Sequence, residues 1–252
     1  FFLSFGLFVV FLQQVQLIFG YSPLKSAVAL MPIVVGVVCV APLSTILVVR
    51  WNALRLFLTA GITAGGIGVL TMGLFDYDEY WMLLIPMMAF AVGLGLSGAP
   101  STAAIMTNTP PGNQGVGSAV NDTARELGAA LGIAVSGSIM AAGFDARIGE
   151  TADRARDQID ALGRQAAAAG NPAATQEASR QADTVAEHVR QSLAEALAVA
   201  DGLRDQAPGV AATITDGARA AWSVPMGHAY LVVGVVTLVG AAVLCWITPN
   251  RI

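Results

Sequence analysis

The sequence predicts an all-α integral membrane protein, a six-transmembrane-helix bundle with a polar helical insert before the last helix. Three observations support this fold class. Of the 252 residues, 55% are hydrophobic and only 12% are charged, so the chain is far more apolar than an average soluble domain. Six apolar runs are each long enough to cross a bilayer. Most of the charged residues lie in one segment, residues 145–222, outside all six runs.

The six apolar runs are the predicted membrane spans. A helix rises about 1.5 Å per residue, so about 20 apolar residues cross the hydrocarbon core of a bilayer. Five of the six runs contain no Asp, Glu, Lys or Arg, and the fifth run contains three such residues. The runs cover residues 1–19, 27–49, 56–75, 81–106, 116–144 and 226–248.

The polar segment divides the chain into three parts. Residues 1–144 hold the first five spans, residues 145–222 form the insert, and residues 223–252 hold the last span and a short tail. The insert carries 12 acidic and 8 basic residues together with long alanine runs. The chain's net charge of −4 therefore arises in the insert and does not indicate a nucleic-acid partner.

Within the insert, residues 153–169 and 173–206 are rich in strong helix formers, and Gly170–Asn171–Pro172 between them predicts a turn. A thin apolar stripe on the second helix favours an antiparallel helical pair. A mobile, partly helical insert explains the same composition equally well.

The distribution of charge between the spans predicts the orientation in the membrane. Arg50 and Arg55 lie between the second and third spans and Arg251 follows the sixth, whereas the connection at 75–80 (FDYDEY) is acidic. The positive-inside rule then places both termini in the cytoplasm and the insert outside it, and only Lys25 opposes this assignment.

The fifth span contains the charged residues that need an explanation. Charge near the middle of a lipid-facing helix costs about 2.5–3.5 kcal/mol per residue on insertion scales, so these residues should face protein or a water-filled cavity. At about 100° per residue, one face of this helix is polar at one end and small throughout. Glycine and serine spaced by four would let another helix approach closely there. The residues of this face are Ser118, Asn121, Asp122, Arg125, Ala129, Gly132 and Ser136, with Gly128 at its edge.

Asp122, Arg125 and Glu126 can interact along one helix. Asp122 is three residues from Arg125 and four from Glu126, so one carboxylate can pair with the guanidinium while the other stays available. The available carboxylate predicts a role for these residues in binding a cation or exchanging protons. A structural role, in which the three residues join helices near the cytoplasmic end, is equally compatible with the sequence.

The first span ends in uncharged polar residues. Gln13, Gln14 and Gln16 need hydrogen-bond partners if they lie at membrane depth. Gln13 and Gln16 are candidates for lining a cavity, and hydrogen bonding between helices is the alternative.

Proline and glycine set expectations for the middle spans. Pro32, Pro42, Pro86 and Pro100 predict bent helices. Glycines in the third and fourth spans predict surfaces on which helices pack closely. These glycines are Gly61, Gly65, Gly66, Gly68, Gly93, Gly95 and Gly98.

The sequence offers little support for an enzyme or a metalloprotein. It shows no Ser/His/Asp set, no His/Cys spacing typical of a metal site and no phosphate-binding loop. Cys39 and Cys245 lie in apolar runs and are interpreted as buried free thiols rather than as a disulfide or metal ligands.

Three segments resemble a known family. They are FLQQVQLIFGYSPLKSAVALMPIVVG (11–36), GLGLSGAPSTAAIM (93–106) and PPGNQGVGSAVNDTARELGAALGIAVSGS (110–138). They are similar to segments in the C-terminal half of the fourteen-helix drug:proton antiporters, a multidrug efflux branch of the major facilitator superfamily. The resemblance covers residues 1–144 and includes the last span by position only.

The resemblance implies one of two six-helix bundles that rock about a substrate site at their interface in the inner membrane of a bacterial cell. The implied partners are the missing N-terminal half, a lipophilic drug-like substrate, protons and the lipid bilayer. No cofactor is implied beyond a proton gradient. The candidate pathway residues are Asp122, Glu126, Arg125, Asn121, Gln13 and Gln16.

A different class of function also fits the sequence. The spans could anchor an interaction protein whose 145–222 insert binds an extracytoplasmic partner. Deletion of the insert separates the two hypotheses, because transport should survive the deletion if the bundle does the work.

Overall fold

The computed structural model describes residues 1–75, 77 and 79–248. In this part of the chain it contains nine α-helices and no strand. A π-helical turn, Gln14–Ile18, follows the first helix, and a 3₁₀ turn, Tyr80–Leu83, precedes the fifth. The helices are α1 Phe2–Gln13, α2 Pro23–Ala29, α3 Met31–Trp51, α4 Leu54–Leu74, α5 Leu84–Asn108, α6 Gln114–Ala168, α7 Ala174–Gln191, α8 Leu193–Leu203 and α9 Pro208–Ile247.

The all-α membrane fold is confirmed. By length and composition, five helical segments of the described residues can cross a membrane: Pro23–Trp51, Leu54–Leu74, Tyr80–Asn108, Gln114–Ala168 and Pro208–Ile247. The first predicted span is the helical segment Phe2–Ile18, which is apolar but shorter than the other five. The number of six spans therefore depends on this shorter helix.

Two of the sequence-based orientation signals lie partly outside the described residues. The acidic connection at 75–80 includes positions 76 and 78, and Arg251 lies beyond residue 248. Because these positions lie outside the described residues, the predicted orientation in the membrane stays a prediction.

The ends of the first helices follow local rules. Gly20 adopts a positive φ of 68°, and Ser22 then caps α2 by accepting a hydrogen bond from the backbone N–H of Lys25, with Pro23 in the first turn. Asn52, with a φ of 48°, ends α3 in the left-handed region.

Two of the four prolines predicted to bend helices follow interruptions of a helical segment, at Leu30 and at the 3₁₀ turn Tyr80–Leu83. Pro32 lies in the first turn of α3 and Pro86 is the third residue of α5, where a helix has no backbone hydrogen bond to lose. Pro42 and Pro100 do lie inside α3 and α5.

The chain forms two compact units. The first comprises Phe1–Gly137 and the segment from Gly227 onward, and the second is Ser138–Met226. Each of the long helices α6 and α9 contributes to both units.

In the first unit, glycines let α4 and α5 approach each other closely. A Cβ atom added at Gly93 would lie 2.4 Å from the backbone nitrogen of Gly65, and one at Gly68 would lie 2.6 Å from the carbonyl oxygen of Pro86. Six of the seven predicted packing glycines lie in close contact with a neighbouring helix, which is α1 for Gly65, α9 for Gly66 and α3 for Gly95, whereas Gly98 meets nothing closer than 3.9 Å. The predicted packing role is confirmed for those six glycines.

Other contacts fix how the helices of the first unit run. Gly36 of α3 faces Ala91 and Gly95 of α5 faces Val40, so α3 and α5 run parallel. The Nε of Arg55, at the start of α4, donates a hydrogen bond to the carbonyl oxygen of Thr248, which follows α9. The start of α4 and the end of α9 therefore lie at the same end of the unit.

The two predicted cysteine environments were wrong. Cys39 and Cys245 are free but exposed. Both lie on helix faces that no described residue of the first unit covers. The apolar sequence around them is equally suited to contact with lipid.

The second unit is a set of helices packed through small side chains. Its core contains many alanines, among them Ala155, Ala182 and Ala186, together with Ile148 and Ile214. Gly217 of α9 lies against Thr151 of α6, and Gly163 of α6 lies against Ala178 of α7. The rings of Phe144 and Trp222 meet edge to face with centroids 5.5 Å apart. The second unit is therefore a packed set of helices with its own core.

The predicted continuous helix over residues 173–206 was wrong. The chain breaks at Ser192, which is extended (φ −166°, ψ 163°), and α8 begins after it. The hydroxyl of Ser192 accepts a hydrogen bond from the backbone N–H of Glu195 at 3.2 Å. Ser192 and Glu195 have the S-x-x-E spacing of a helix start, so the signal was present in the sequence.

Candidate functional site

The small-residue part of the predicted α6 face packs against α1. A Cβ atom added at Gly132 would lie 2.3 Å from the carbonyl oxygen of Phe2, and one at Gly128 would lie 3.2 Å from the backbone nitrogen of Phe2. Ser136 is fully buried and its Oγ lies against Gly6. The predicted close approach of another helix is confirmed, and that helix is α1.

The charged end of the same face is open. The side chain of Asp122 is 63% exposed and that of Arg125 is 44% exposed, with Nη1 and Oδ1 3.9 Å apart. Glu126 is exposed, and it makes no ion pair with any residue that the structure describes. The arrangement is the predicted one, in which one carboxylate lies near the guanidinium and the other is available. Asn121, in contrast, is only 8% exposed.

A row of aromatic rings begins at these charges. The Cζ of Arg125 lies 4.3 Å from the ring centroid of Phe1, a cation–π contact between α6 and the residue that precedes α1. The rings of Phe1, Phe5, Phe8 and Phe90 then follow one another with centroids 6.2–6.4 Å apart. We call these four residues the aromatic row. Phe1 and Phe5 are exposed, whereas Phe90 is fully buried.

The glutamines lie beyond the other end of the row. Gln14 is 2% exposed, and its Oε1 accepts a hydrogen bond of 2.8 Å from the hydroxyl of Tyr230 in α9. Gln13 and Gln16 are half-buried, and the buried Oε1 of Gln13 has no hydrogen-bond partner among the described residues. The π-helical turn that starts at Gln14 changes which side chains point inward, and such turns often occur at functional sites.

The structure does not bring the six predicted pathway residues into one cluster. Arg125, with Asp122 near its guanidinium, lies beside Phe1, and Gln13 lies twelve residues further along α1, about 18 Å at a rise of about 1.5 Å per residue. Gln14 was not among the pathway residues predicted from the sequence, because helical spacing alone cannot reveal the π turn that buries this side chain.

Tyr77, between the third and fourth predicted spans, is a partly buried phenol. The hydroxyl of Tyr77 donates a hydrogen bond to the carbonyl oxygen of Thr71 at 3.1 Å. Burial raises the pKa of Tyr77 above its ordinary value, so this side chain stays a neutral donor.

Comparison with known proteins decides the family. The family model of the Major Facilitator Superfamily matches residues 1–133, which is more than half of the chain. The chain belongs to the Major Facilitator Superfamily. Members of this superfamily are transporters rather than enzymes, and they need no cofactor.

Individual superfamily relatives carry names related to drug resistance. The chain is 30% identical over 146 residues to the methyl viologen resistance protein SmvA of Salmonella typhimurium, which is 57% of this chain and 29% of SmvA. It is 28% identical over 155 residues to the multidrug resistance protein Stp of Mycobacterium tuberculosis, 62% of this chain and 29% of Stp. It is 30% identical over 175 residues to the multidrug efflux pump LfrA of Mycolicibacterium smegmatis, 67% of this chain and 34% of LfrA.

The aligned part of the chain thus spans about a third of the length of these curated relatives. Membership of the superfamily and the membrane-spanning helices make the chain a multi-pass protein of a bacterial inner membrane. The alternative of an anchored interaction protein is not favoured, because the relatives are named for resistance and efflux.

Proposed function

We propose that this chain is the C-terminal half of a proton-coupled multidrug efflux transporter, which exports lipophilic, cationic compounds by alternating access. The observation that carries the proposal is the contact between Arg125 and Phe1. It joins the open charged end of α6 to the exposed start of the aromatic row, so both features lie on one side of the first unit.

The exposure of the charged residues supports a missing half on that side. Asp122, Arg125 and Glu126 would each cost several kcal/mol if they faced hydrocarbon, and no described helix of the first unit covers them. A second six-helix bundle and the water-filled cleft between two bundles would remove this cost. The length of the relatives leaves room for such a half.

The chemistry of this side fits a lipophilic cation. Aromatic faces attract cations through their quadrupole. The open carboxylates of Asp122 and Glu126 supply negative charge within one helical turn of Arg125, which lies over the first ring of the row. In this proposal Asp122, held near Arg125, contacts the substrate, and Glu126 exchanges the proton. Asn121, Gln13 and Gln16 contribute polar contacts along the path.

The orientation in the membrane is part of the proposal. Both termini of this chain lie in the cytoplasm, and the 145–222 insert lies on the extracytoplasmic side. Arg50 and Arg55, at the end of α3 and the start of α4, support this orientation by the positive-inside rule.

The test uses the protein as encoded, including any reading frame upstream of Phe1, with methyl viologen as the probe cation. Asp122→Asn and Glu126→Gln are compared singly and together, with the exposed Asp205→Asn as the control. At equal expression the double variant should lose proton-linked transport into inverted vesicles by at least about tenfold, as expected for proton-transfer groups, and D205N should not. Unchanged efflux and resistance in the double variant would refute the assigned roles.

A further inference from the structure

A cavity of about 310 Å³ lies inside the first unit, among α1, α4, α5 and α9. Phe1 and Phe90 of the aromatic row line it, whereas none of the predicted pathway residues does. Its volume is at the lower end of the range for small-ligand pockets, about 300–1,000 Å³. Ser4, Gly61, Phe90, Gly93, Thr237 and Gly240 are among the residues that line it.

The cavity exists because the helices around it present small residues. Close contact between α4 and α5 requires glycine at positions 61 and 93, where an added Cβ atom would lie 2.8 Å and 2.4 Å from the facing backbone. Gly240 of α9 has no such requirement, since an added Cβ atom there would meet nothing within 4 Å. Gly240 therefore borders open space.

The lining of the cavity is mostly apolar, with one available hydroxyl. Ser97 and Thr237 donate their hydroxyl groups to carbonyl oxygens of their own helices, those of Gly93 and Val233. Ser4 is 5% exposed, and its hydroxyl has no partner among the described residues. An occupant with one hydrogen-bonding group can bond to this hydroxyl, because Ser4 lines the cavity.

We propose that this cavity is a binding site for one apolar molecule, of one or two rings or an equivalent length of hydrocarbon chain, that carries a single hydrogen-bonding group. Apolar cavities of about 150 Å³ already stay dry and bind benzene-sized molecules, so a larger one has room for a two-ring occupant. The occupant is a free lipophilic molecule or a lipid, whose acyl chain and ester carbonyl present the same chemistry. The site joins four helices, and binding stabilises their packing. This inference rests on the cavity and its lining and not on transport, although the cavity shares Phe1 and Phe90 with the aromatic row.

The test uses the protein as encoded, purified and freed of lipid, with 2-naphthol as the free probe. Gly240→Leu fills the cavity, and Gly137→Leu is the matched control because an added Cβ atom at Gly137 also meets nothing within 4 Å and Gly137 does not line the cavity. Binding is measured by the midpoint of thermal unfolding. The unfolding midpoint of the unmodified protein and of G137L should rise with 2-naphthol and reach saturation, and G240L should not respond.

Ser4→Ala separates the hydrogen bond from the apolar contacts. This variant should bind 2-naphthol about five- to tenfold more weakly, as expected for one hydrogen bond, while its affinity for naphthalene stays unchanged. Equal losses for both probes would overturn the role of Ser4.

Native mass spectrometry distinguishes the two sources of the occupant. A lipid retained by the purified protein and by G137L, but not by G240L, identifies an acyl chain. A lipid-free protein that binds 2-naphthol identifies a free molecule. If neither a retained lipid nor saturable binding is found, or if G240L behaves like G137L, the proposed site is wrong.

Discussion

The hydroxyl of Tyr230 donates a hydrogen bond to Oε1 of Gln14 across 2.8 Å, although the two residues are 216 positions apart in the sequence. Both side chains are buried, and Gln14 begins the π-helical turn. The bond joins the first helix of the chain to the last. It also satisfies a polar group that would otherwise be unpaired at membrane depth.

Tyr230→Phe should lower the free energy of unfolding by about 1–3 kcal/mol, because it leaves the Gln14 acceptor buried without a donor. In a double-mutant cycle with Gln14→Leu, the coupling energy should be about 0.6–1.7 kcal/mol, the range measured for hydrogen bonds between membrane helices. Unfolding in detergent measures both quantities. Tyr21→Phe, a half-buried tyrosine whose ring contacts Lys25, is the control and should change little. A cycle without coupling would contradict the assigned bond.

Gly132→Ala should separate α1 from α6. The added methyl group would lie 2.3 Å from the carbonyl oxygen of Phe2 and 3.0 Å from the nitrogen of Gly6, and backbone atoms cannot rotate away. Overpacking of this kind typically costs about 1–3 kcal/mol. Gly137→Ala, which meets nothing within 4 Å, is the matched control. If the two variants unfold at the same temperature, the contact between α1 and α6 at Gly132 does not contribute to stability.

Much of the fold follows from composition and spacing. Runs of apolar residues predicted the spans, and glycines spaced along α4 and α5 predicted where helices approach, because both signals are local. The continuation of α6 to Ala168 and the start of α9 at Pro208 were not predicted. A change from apolar to charged residues changes a helix's surroundings but does not end the helix.

The candidate site was predicted less completely. Helical spacing correctly placed Asp122 beside Arg125 and left Glu126 available. It could not show that Arg125 lies over Phe1, nor that Gln14 pairs with Tyr230, because these are contacts between distant parts of the chain. Pairing between helices depends on tertiary packing, which no periodicity within one helix encodes.

Phe5→Ala should weaken the transport of an aromatic cation more than it weakens the fold. Phe5 is 38% exposed and lies between Phe1 and Phe8 in the aromatic row, so its removal interrupts the row without opening the core. A cation–π contact at an exposed site is worth about 0.5–1 kcal/mol, which corresponds to a rise in the KM for methyl viologen of about two- to fivefold. Phe5→Leu should show a similar rise, because it keeps an apolar side chain but removes the ring.

The control for this prediction is Phe75→Ala, which removes a ring that is 63% exposed and lies outside the row. Transport into inverted vesicles at several methyl viologen concentrations separates KM from the maximal rate. If F5A and F75A change the KM equally, the aromatic row does not contact the substrate.

The second unit should depend on alanine packing more than on its ion pairs. Ala186 is 2% exposed in α7, so Ala186→Leu should destabilise this unit by about 1–3 kcal/mol through overpacking. Arg190, in the same helix, pairs with Asp153 of α6 at 2.5 Å, but both side chains are largely exposed, at 44% and 64%. Arg190→Ala should therefore cost at most about 1 kcal/mol, and less at high salt.

Hydrogen exchange across residues 138–226 of the intact protein measures both effects at once. A186L should reduce the protection of α6, α7 and α8 in this unit by about fivefold to more than a hundredfold, the equivalent of about 1–3 kcal/mol. R190A should change protection by no more than about fivefold, and the change should disappear at about 1 M salt because that concentration screens exposed pairs. If R190A were as damaging as A186L, the ion pairs rather than the small side chains would hold these helices together.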